Sequence, residues 1–450
     1  MTDRHFRTAW LAGLTTIMVG PPLLWLATAP AEPLWSRLSV VTGLFALSAM
    51  VCAAVLPSRL RSVNRAFGIE GVIEVHRFLG LGAAALVLLH LACVVAADPT
   101  AVSLLDVPNA PGRAQAAVGA TVALGALVGA ALLRRHLKLP YEIWRWTHIA
   151  LGVAVVVFSA LHVVLLDHAV QEASMAVALT ALMLVLVAVA AYRWVWRGLL
   201  DPSTEFVVHE VRAESPTVST LVLGPRARHP NARHGGGRRP ETANWAFAPG
   251  QFAWLRLARS PAAEEHPFTI ASSAHLGRTE FTIRHAGDFT HRLRTLPPGS
   301  PVWVDGPHGA FTSDIGACEG FVLVAGGVGI TPMMSMLRTA ADRADPRPYR
   351  LVVVAGSLED MLFREELGFL RHTLDLEVTE VLRRPREGWD GHTGDLGVSL
   401  LAMVLATVPR PDHVDWFLCG PPGLVDDALE VLDVLDVAPA RIRTELFDFV

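Results

Sequence analysis

Four histidines in otherwise apolar stretches, His76, His90, His148 and His162, are the first residues in this chain whose spacing suggests chemistry. They fall in two pairs, and the partners within each pair are 14 residues apart. On an α-helix, 14 residues rise by about 21 Å and complete two heptads with a drift of about 40°. Each pair therefore lies on nearly one face of its helix, with one imidazole towards each side of a membrane. Two such helices set side by side present two stacked His–His pairs. Imidazole on both axial faces leaves haem iron no readily opened position, so the spacing suits two haems that pass single electrons. An ionisable group inside a span is costly and points to function, unless a backbone carbonyl or the interface accounts for it. That plainer explanation serves for one histidine, but poorly for two equally spaced pairs. His5, His136 and His168 lie at ends or in loops and are set aside. Arg77 and Arg145 flank the inner pair and could meet haem propionates, although membrane topology explains them equally well.

The elements that carry these residues must be membrane helices. Hydrophobic residues make up 52% of the chain and its mean hydropathy is +0.40, too apolar for an ordinary soluble protein. Six apolar runs are each long enough to span hydrocarbon: Trp10–Ala27, Leu38–Leu56, Phe78–Ala97, Ala114–Leu133, Ile149–Leu166 and Ser174–Val195. Arginine and lysine concentrate at Arg4 and Arg7, at Arg59 to Arg77, at Arg134 to Arg145 and at Arg193 with Arg197. The positive-inside rule then puts both termini in the cytoplasm of a multi-pass protein of the cell membrane. The third and fifth helices run parallel, so His76 pairs with His148 near the cytoplasmic face and His90 with His162 further out. Ala27-Thr28-Ala29 resembles a signal-peptide cleavage site, but Pro30 directly after it argues against cleavage. The net charge of −4 gives no support to nucleic-acid binding. The cysteines Cys52, Cys93, Cys318 and Cys419 lack CxxC spacing, so no disulfide framework, zinc site or iron–sulfur site is suggested.

After Asp201-Pro202 the pattern changes to short alternating runs: Phe206–Val211, Val218–Leu223, Gln251–Leu257, Thr279–Arg284 and Pro301–Val304. These predict a small antiparallel β-barrel. An arginine-rich, glycine-rich segment, Gly224–Asn244, reads as a solvated loop, with anionic lipid headgroups as the alternative partner. Next comes His266-Pro267-Phe268-Thr269-Ile270-Ala271-Ser272-Ser273. An aromatic, hydroxyls and exposed backbone in one strand-to-turn segment suit a flat heteroaromatic ring with polar edges. Further on, Ile283-Arg284-His285-Ala286-Gly287-Asp288-Phe289-Thr290 offers a forked cation and a glycine turn into a helix expected at Thr290–Leu296. That combination suits a diphosphate. The last third reads as strand, loop and helix. The strand Phe321–Ala325 leads to Gly326-Gly327-Val328-Gly329-Ile330-Thr331-Pro332 and a helix over Met333–Ala341. Further strands are expected at Arg350–Ala355 and at Trp416–Leu418, the latter ending in Cys419-Gly420-Pro421. A glycine turn between strand and helix lets a pyrophosphate approach a helix N-terminus.

Over nearly its whole length the chain resembles the ferric reductase and NADPH oxidase superfamily. The resemblance is carried by the four histidines, by His266–Thr269, by Ile283–Thr290, by the glycine loop and by Cys419-Gly420-Pro421. It implies a multidomain membrane protein in three parts. Residues 1–200 would form a six-helix transmembrane haem domain and residues 201–316 an antiparallel β-barrel FAD domain. Residues 317–450 would form an α/β Rossmann-like NAD(P)-binding domain. It implies FAD, two haem b groups and NADH or NADPH as cofactors. His266, Pro267, Phe268, Thr269 and Ser272 would meet the isoalloxazine, and Arg284 with Gly287, Asp288, Phe289 and Thr290 the FAD diphosphate. Gly326, Gly327, Gly329, Thr331, Pro332, Gly420 and Pro421 would hold the pyridine nucleotide, with Cys419 near the nicotinamide. Glu445 and Phe447 match the family's closing Glu-x-aromatic, whose aromatic covers the flavin, and Phe449 offers itself for the same role.

The donor is left open. Gly356-Ser357-Leu358-Glu359-Asp360 offers acid where a 2′-phosphate wants arginine, while Arg383 and Arg384 stand nearby in sequence. The implied reaction carries electrons from cytoplasmic NAD(P)H through FAD and the two haems to an outer acceptor, a ferric chelate or dioxygen. Alternatively the chain delivers electrons to a periplasmic or membrane protein, or acts as a haem-bearing redox sensor.

Overall fold

The computed structural model describes residues 3–134, 136–138, 140–166, 172–201, 204–226, 245–314 and 318–447. Arg135, Asp167, His168, Pro202, most of the arginine-rich loop (227–244) and the closing Asp448-Phe449-Val450 lie outside the described residues. The chain divides into two units, Met1–Gly198 and Leu199–Val450.

The first unit is helical: α1 (Asp3–Thr28), α2 (Leu34–Val55), α3 (Arg61–Ala97), α4 (Gly112–Leu133), α5 (Tyr141–Leu165) and α6 (Ala173–Ala190), the last continuing as a π-helix over Ala191–Leu200. Among the described residues, six helices are long and apolar enough to cross a membrane. Their outward faces are apolar, as lipid-facing helices require. Phe78, Leu88, Val122, Val153 and Val177 are all more than half exposed. Each expected apolar run lies within or across one of these helices, but α3 and α5 begin well before the expected Phe78 and Ile149. Glu74, Arg77, Glu142 and Arg145 lower the local hydropathy without stopping the helices. The interior of α3 bends instead at Gly68, whose φ of 69° no helix accommodates.

The second unit holds two sheets. The first is antiparallel, in the order β4-β3-β6-β1-β2-β5, with β1 Glu205–Ser215, β2 Val218–Pro225, β3 Phe252–Arg256, β4 Glu265–Thr269, β5 Thr279–Arg284 and β6 Pro301–His308. A bridge between Ile270 and Phe281 links the two edges, so the sheet curls into the expected barrel. Leu221, Leu223, Leu255, Ile270, Phe281 and Val302 fill it, none more than 1% exposed. The helix α7 (Asp288–Arg294) starts two residues before the expected Thr290.

The second sheet is parallel, in the order β10-β9-β8-β7-β11-β12. Its strands are β7 Gly320–Gly326, β8 Tyr349–Ala355, β9 Leu376–Leu382, β10 His392–Thr393, β11 Val414–Gly420 and β12 Ile442–Leu446. Helices α8 (Ile330–Asp342), α9 (Arg364–Leu370), α10 (Val398–Ala406) and α11 (Pro422–Val434) connect them. Every residue of β7, β8 and β11 is buried. Burial on both faces explains why these strands read as unbroken apolar runs rather than alternating ones. Strand order reverses at β7, whose neighbours are β8 and β11, and the crevice beyond the carboxyl ends at such a reversal is where open α/β sheets bind ligands.

Candidate functional site

In the helical unit the structure brings the four histidines together as two pairs. The His76 and His148 rings lie 6.1 Å apart, inclined at 61°. His90 and His162 are electrostatic neighbours. Metal–imidazole bonds of about 2.0 Å, with roughly 1.1 Å from each bound nitrogen to its ring centre, would set the centres of a bis-imidazole pair about 6 Å apart. Backbone carbonyls hold three of the four rings by Nδ1: His76 donates to Ala53 O at 2.8 Å, His90 to Ser39 O at 2.7 Å and His162 to Arg113 O at 2.8 Å. A proton on Nδ1 leaves the Nε2 lone pair free, the usual arrangement for a ligating histidine. The donor set of both pairs, and the ring separation of His76 and His148, therefore fit bis-histidine haem ligation.

In the second unit, His266, Pro267 and Phe268 are three consecutive half-buried residues of the edge strand β4. Proline is tolerated there because an edge strand need not donate on its open side. The second motif reaches the same place. The Phe289 ring sits 4.6 Å from that of His266, and lies parallel to Phe268 at 6.3 Å. Phe289 itself is 3% exposed, so it anchors α7 in the barrel core and presents its neighbours rather than its own surface. The Thr290 hydroxyl accepts from the N–H groups of Ala286 and Gly287, each at 3.0 Å, and donates to Gly287 O. The turn is thus preformed, and Asp288 and Phe289 supply the first amides of α7. Arg284 ends β5 with its side chain exposed, while Thr269 and Ser272 are buried. Ser272 Oγ accepts from the Glu280 N–H, and its carbonyl accepts from Ser335.

At the carboxyl ends of β7 and β11 two loops meet backbone to backbone. A Cβ on Gly329 would lie 2.3 Å from the Cys419 carbonyl oxygen, and one on Gly326 would lie 2.4 Å from Leu424 and 3.1 Å from Pro421. Gly327 has a φ of 55° with nothing around it, an open left-handed position. Thr331 Oγ donates to Val328 O at 2.8 Å and pins the loop to the start of α8, where Pro332 is buried. Cys419 is fully buried and pairs in register with Glu445 on β12. The Phe447 N–H donates to Gly420 O at 3.0 Å, and its ring packs on the core cluster containing Cys419 and Phe417. The glycine loop and the Cys419-Gly420-Pro421 turn therefore meet at the carboxyl ends of β7 and β11. Beyond β8, the Ser357 hydroxyl donates to Asp360 at 2.8 Å. A Cβ at Gly356 would lie 3.2 Å from both Asp360 Oδ2 and Arg384 Nη2, so Arg384 reaches this turn, whereas Arg383 pairs with Asp395 at 3.0 Å.

Two groups of residues escaped the sequence reading. Glu264 holds His266 Nε2 at 3.0 Å and also bonds Arg292, tying the first flavin motif to α7. Its position two residues before His266 on an extended segment, hence on the same face, was an available signal. The second group lies on α8. Arg338 makes a forked bond to Glu366 at 2.6 Å, and also donates to Ala271 O and Glu280. Ser335 and Thr339 bond the 272–274 segment. This helix clamps the barrel to the parallel sheet, and nothing in its sequence distinguishes those residues from ordinary surface polar groups.

A barrel with a paired-motif ring site, joined to a parallel sheet with a glycine loop at its switch point, defines a ferredoxin-reductase-like architecture. Comparison with known proteins agrees. Residues 42–159 match the ferric reductase like transmembrane component model, 236–310 an FAD-binding domain and 323–430 the oxidoreductase NAD-binding domain. Together the three matches give the chain the architecture of the ferric reductase and NADPH oxidase superfamily, and with the six helices they mark a multi-pass membrane protein. The chain is 34% identical over 167 residues to NADH-cytochrome b5 reductase 1 of Pyricularia oryzae, covering 36% of this chain and 53% of that protein. It is 29% identical over 207 residues to the reductase component of propane 2-monooxygenase of Rhodococcus jostii, covering 43% and 53%. The chain thus spans about half the length of the curated relatives it matches. Among solved structures, the flavohem-like FAD/NAD-binding domain of nitric oxide dioxygenase from Vibrio cholerae aligns with a TM-score of 0.45 at 24% identity, covering 54% of this chain and 98% of that one.

Proposed function

We propose that the chain is a membrane oxidoreductase that moves electrons from cytoplasmic NAD(P)H to an acceptor on the outer face. The observation that carries this reading is the fixing of His76, His90 and His162 through Nδ1, which leaves Nε2 for iron. A flavin accepts a hydride and releases single electrons, and bis-histidine haem carries them one at a time. The chain's own residues bind and orient. His76 with His148 would hold one haem, and His90 with His162 the other, each iron supplying one-electron transfer. His266, Pro267 and Phe268 present a flat half-open surface to the isoalloxazine, with Glu264 holding the imidazole. Arg284 and the first amides of α7 take the diphosphate. The loop from Gly326 to Pro332, with Gly420 and Pro421, takes the pyridine nucleotide. Phe447 covers the crevice and must swing aside for nicotinamide to approach Cys419 and Glu445.

NADH is the proposed donor. Asp360 accepts from Ser357 at the turn where a ribose would lie, a carboxylate suits a 2′-hydroxyl, and the cytochrome b5 reductase relatives bear NADH in their names. The proposed acceptor is a small one, a ferric chelate or dioxygen. Delivery to a protein partner is a second reading, favoured by the relative that is a reductase component. In proteoliposomes, fast NADH oxidation with ferric chelate or oxygen alone supports the first reading. Reduction that stalls until a protein acceptor is supplied overturns it in favour of the second.

A further inference from the structure

The backbone of α2 reaches both histidines of α3. Ser39 and Ala53, which accept from His90 and His76, are 14 residues apart, matching the histidine spacing in an antiparallel register. A carbonyl within an α-helix is normally taken by the N–H four residues on. For Ala53 that residue is Pro57, which has no N–H. The neighbouring Leu56 N–H goes to Cys52 O instead. The Ala53 carbonyl is therefore left for the imidazole, in a setting where an unpaired carbonyl is costly. Ser39 keeps its helical donor, Gly43, and the imidazole approaches because Gly43 has no side chain. A Cβ there would lie 3.1 Å from His90 Nδ1 and 3.2 Å from Cε1. On α4 neither device operates: the residue four beyond Arg113 is Ala117, an ordinary donor, yet His162 bonds the Arg113 carbonyl, while His148 Nδ1 has no hydrogen-bond partner among the described residues.

We infer that Pro57 and Gly43 are positioning residues, each for one haem: Pro57 frees the Ala53 carbonyl that orients His76, and Gly43 gives His90 access to Ser39. This rests on the reading of the four histidines as haem ligands. A hydrogen bond from Nδ1 makes imidazole a stronger donor and favours oxidised iron. Pro57→Ala restores an N–H that competes for the Ala53 carbonyl. Pro57 is exposed, so the change leaves packing alone. Gly43→Ala pushes the His90 ring aside.

The test is redox potentiometry of the full-length haem-loaded protein, followed by visible absorbance and low-temperature electron paramagnetic resonance. In Pro57→Ala one of the two midpoint potentials moves to a more positive value and the other stays. In Gly43→Ala the other haem responds, by a shift or by loss, in keeping with the roughly 10- to 100-fold in metal affinity that such outer contacts are worth. Two bound haems with both midpoints and both signals unchanged in Pro57→Ala overturn the inference alone, and so does an equal movement of both. Wild-type protein lacking haem absorbance overturns the ligand assignment itself, before any variant is compared.

Discussion

Gly329→Ala tests whether the crevice between β7 and β11 is the nucleotide site. The added methyl would lie 2.3 Å from the Cys419 oxygen, 2.6 Å from its carbonyl carbon and 2.8 Å from the Gly420 nitrogen. Ordinary contact begins at 3.4 Å, so the two loops must part by about 1.1 Å, that is, 3.4 less 2.3. Both sides of the clash are backbone, and both strands are fully buried neighbours in one sheet, so no flexible side chain can yield. Overpacking of this kind costs about 1–3 kcal/mol. A displacement of about 1 Å at a reacting site costs on the order of 100-fold in rate. The assay is anaerobic stopped-flow reduction of the flavin by NADH in the FAD-loaded full-length protein. The apparent Kd for NADH should rise about 10- to 100-fold, equivalent to about 1.4–2.8 kcal/mol, with FAD stoichiometry unchanged. Gly327→Ala is a comparison within the same loop, free of this clash. Its φ of 55° costs only backbone strain of about 1–2 kcal/mol, and nothing lies near the added methyl. Wild-type NADH binding in Gly329→Ala would refute the assignment of this crevice.

Four further outcomes are expected. His90→Ala and His162→Ala should each lose one haem while flavin reduction by NADH continues, read by haem absorbance against flavin bleaching; full haem content in both variants removes the ligand assignment. Asp360→Ser should raise kcat/KM for NADPH about tenfold relative to NADH, because Arg384 is already at the Gly356 turn and loses its competing carboxylate. Arg338→Met should destabilise the flavin–nucleotide unit by about 1–3 kcal/mol in chemical denaturation, since it removes charged bonds to Glu366, Glu280 and Ala271 O; an unchanged midpoint would mean that the clamp contributes nothing. His285 is held below its ordinary value by burial and then by Arg294 and His291, so the folded protein resists a proton that the unfolded chain takes at about 6.5. Stability is then full above that pH, falls as pH drops below it, and levels off once the folded value is passed; His285→Asn should flatten that portion of a melting-temperature profile.

The barrel strands β1 and β6 were legible because buried residues alternate there with more exposed ones. β9 and β12 were not. β9 carries Glu377, Thr379 and Glu380 between its buried ends, and β12 is a half-buried edge whose residues drew notice only as a closing motif. Both are held by pairing to interior strands rather than by any pattern of their own, which is how tertiary context overrides local propensity. Some of the residues that the motifs named do meet: Phe289 lies against His266 and Phe268, and the glycine loop lies against Cys419. What stayed hidden was their support: Glu264 behind His266, Phe289 as a buried anchor, and the α8 clamp across to Glu280 and Ala271. Each of these depends on partners far away in sequence.

The helical unit shows the same division more sharply, and for a reason specific to membranes. A span built from alanine, valine and leucine has almost no side-chain polar groups, so a ligating imidazole must find its second hydrogen bond on the backbone. Backbone carbonyls are already committed within a helix, and on α2 they become available where the helical pattern is interrupted or where a neighbour can approach closely. Pro57 is such an interruption and Gly43 such an approach. Hydropathy sees neither, because it sums side chains and the interaction belongs to the main chain. It also starts the third and fifth spans only at Phe78 and Ile149, although both helices begin earlier and carry His76 and His148 at helical positions. The histidine spacing could be read from the sequence because it is periodic. The carbonyls that orient the histidines could not, because they depend on which residue lacks an N–H and which lacks a Cβ, and those facts acquire meaning only once α2 lies against α3.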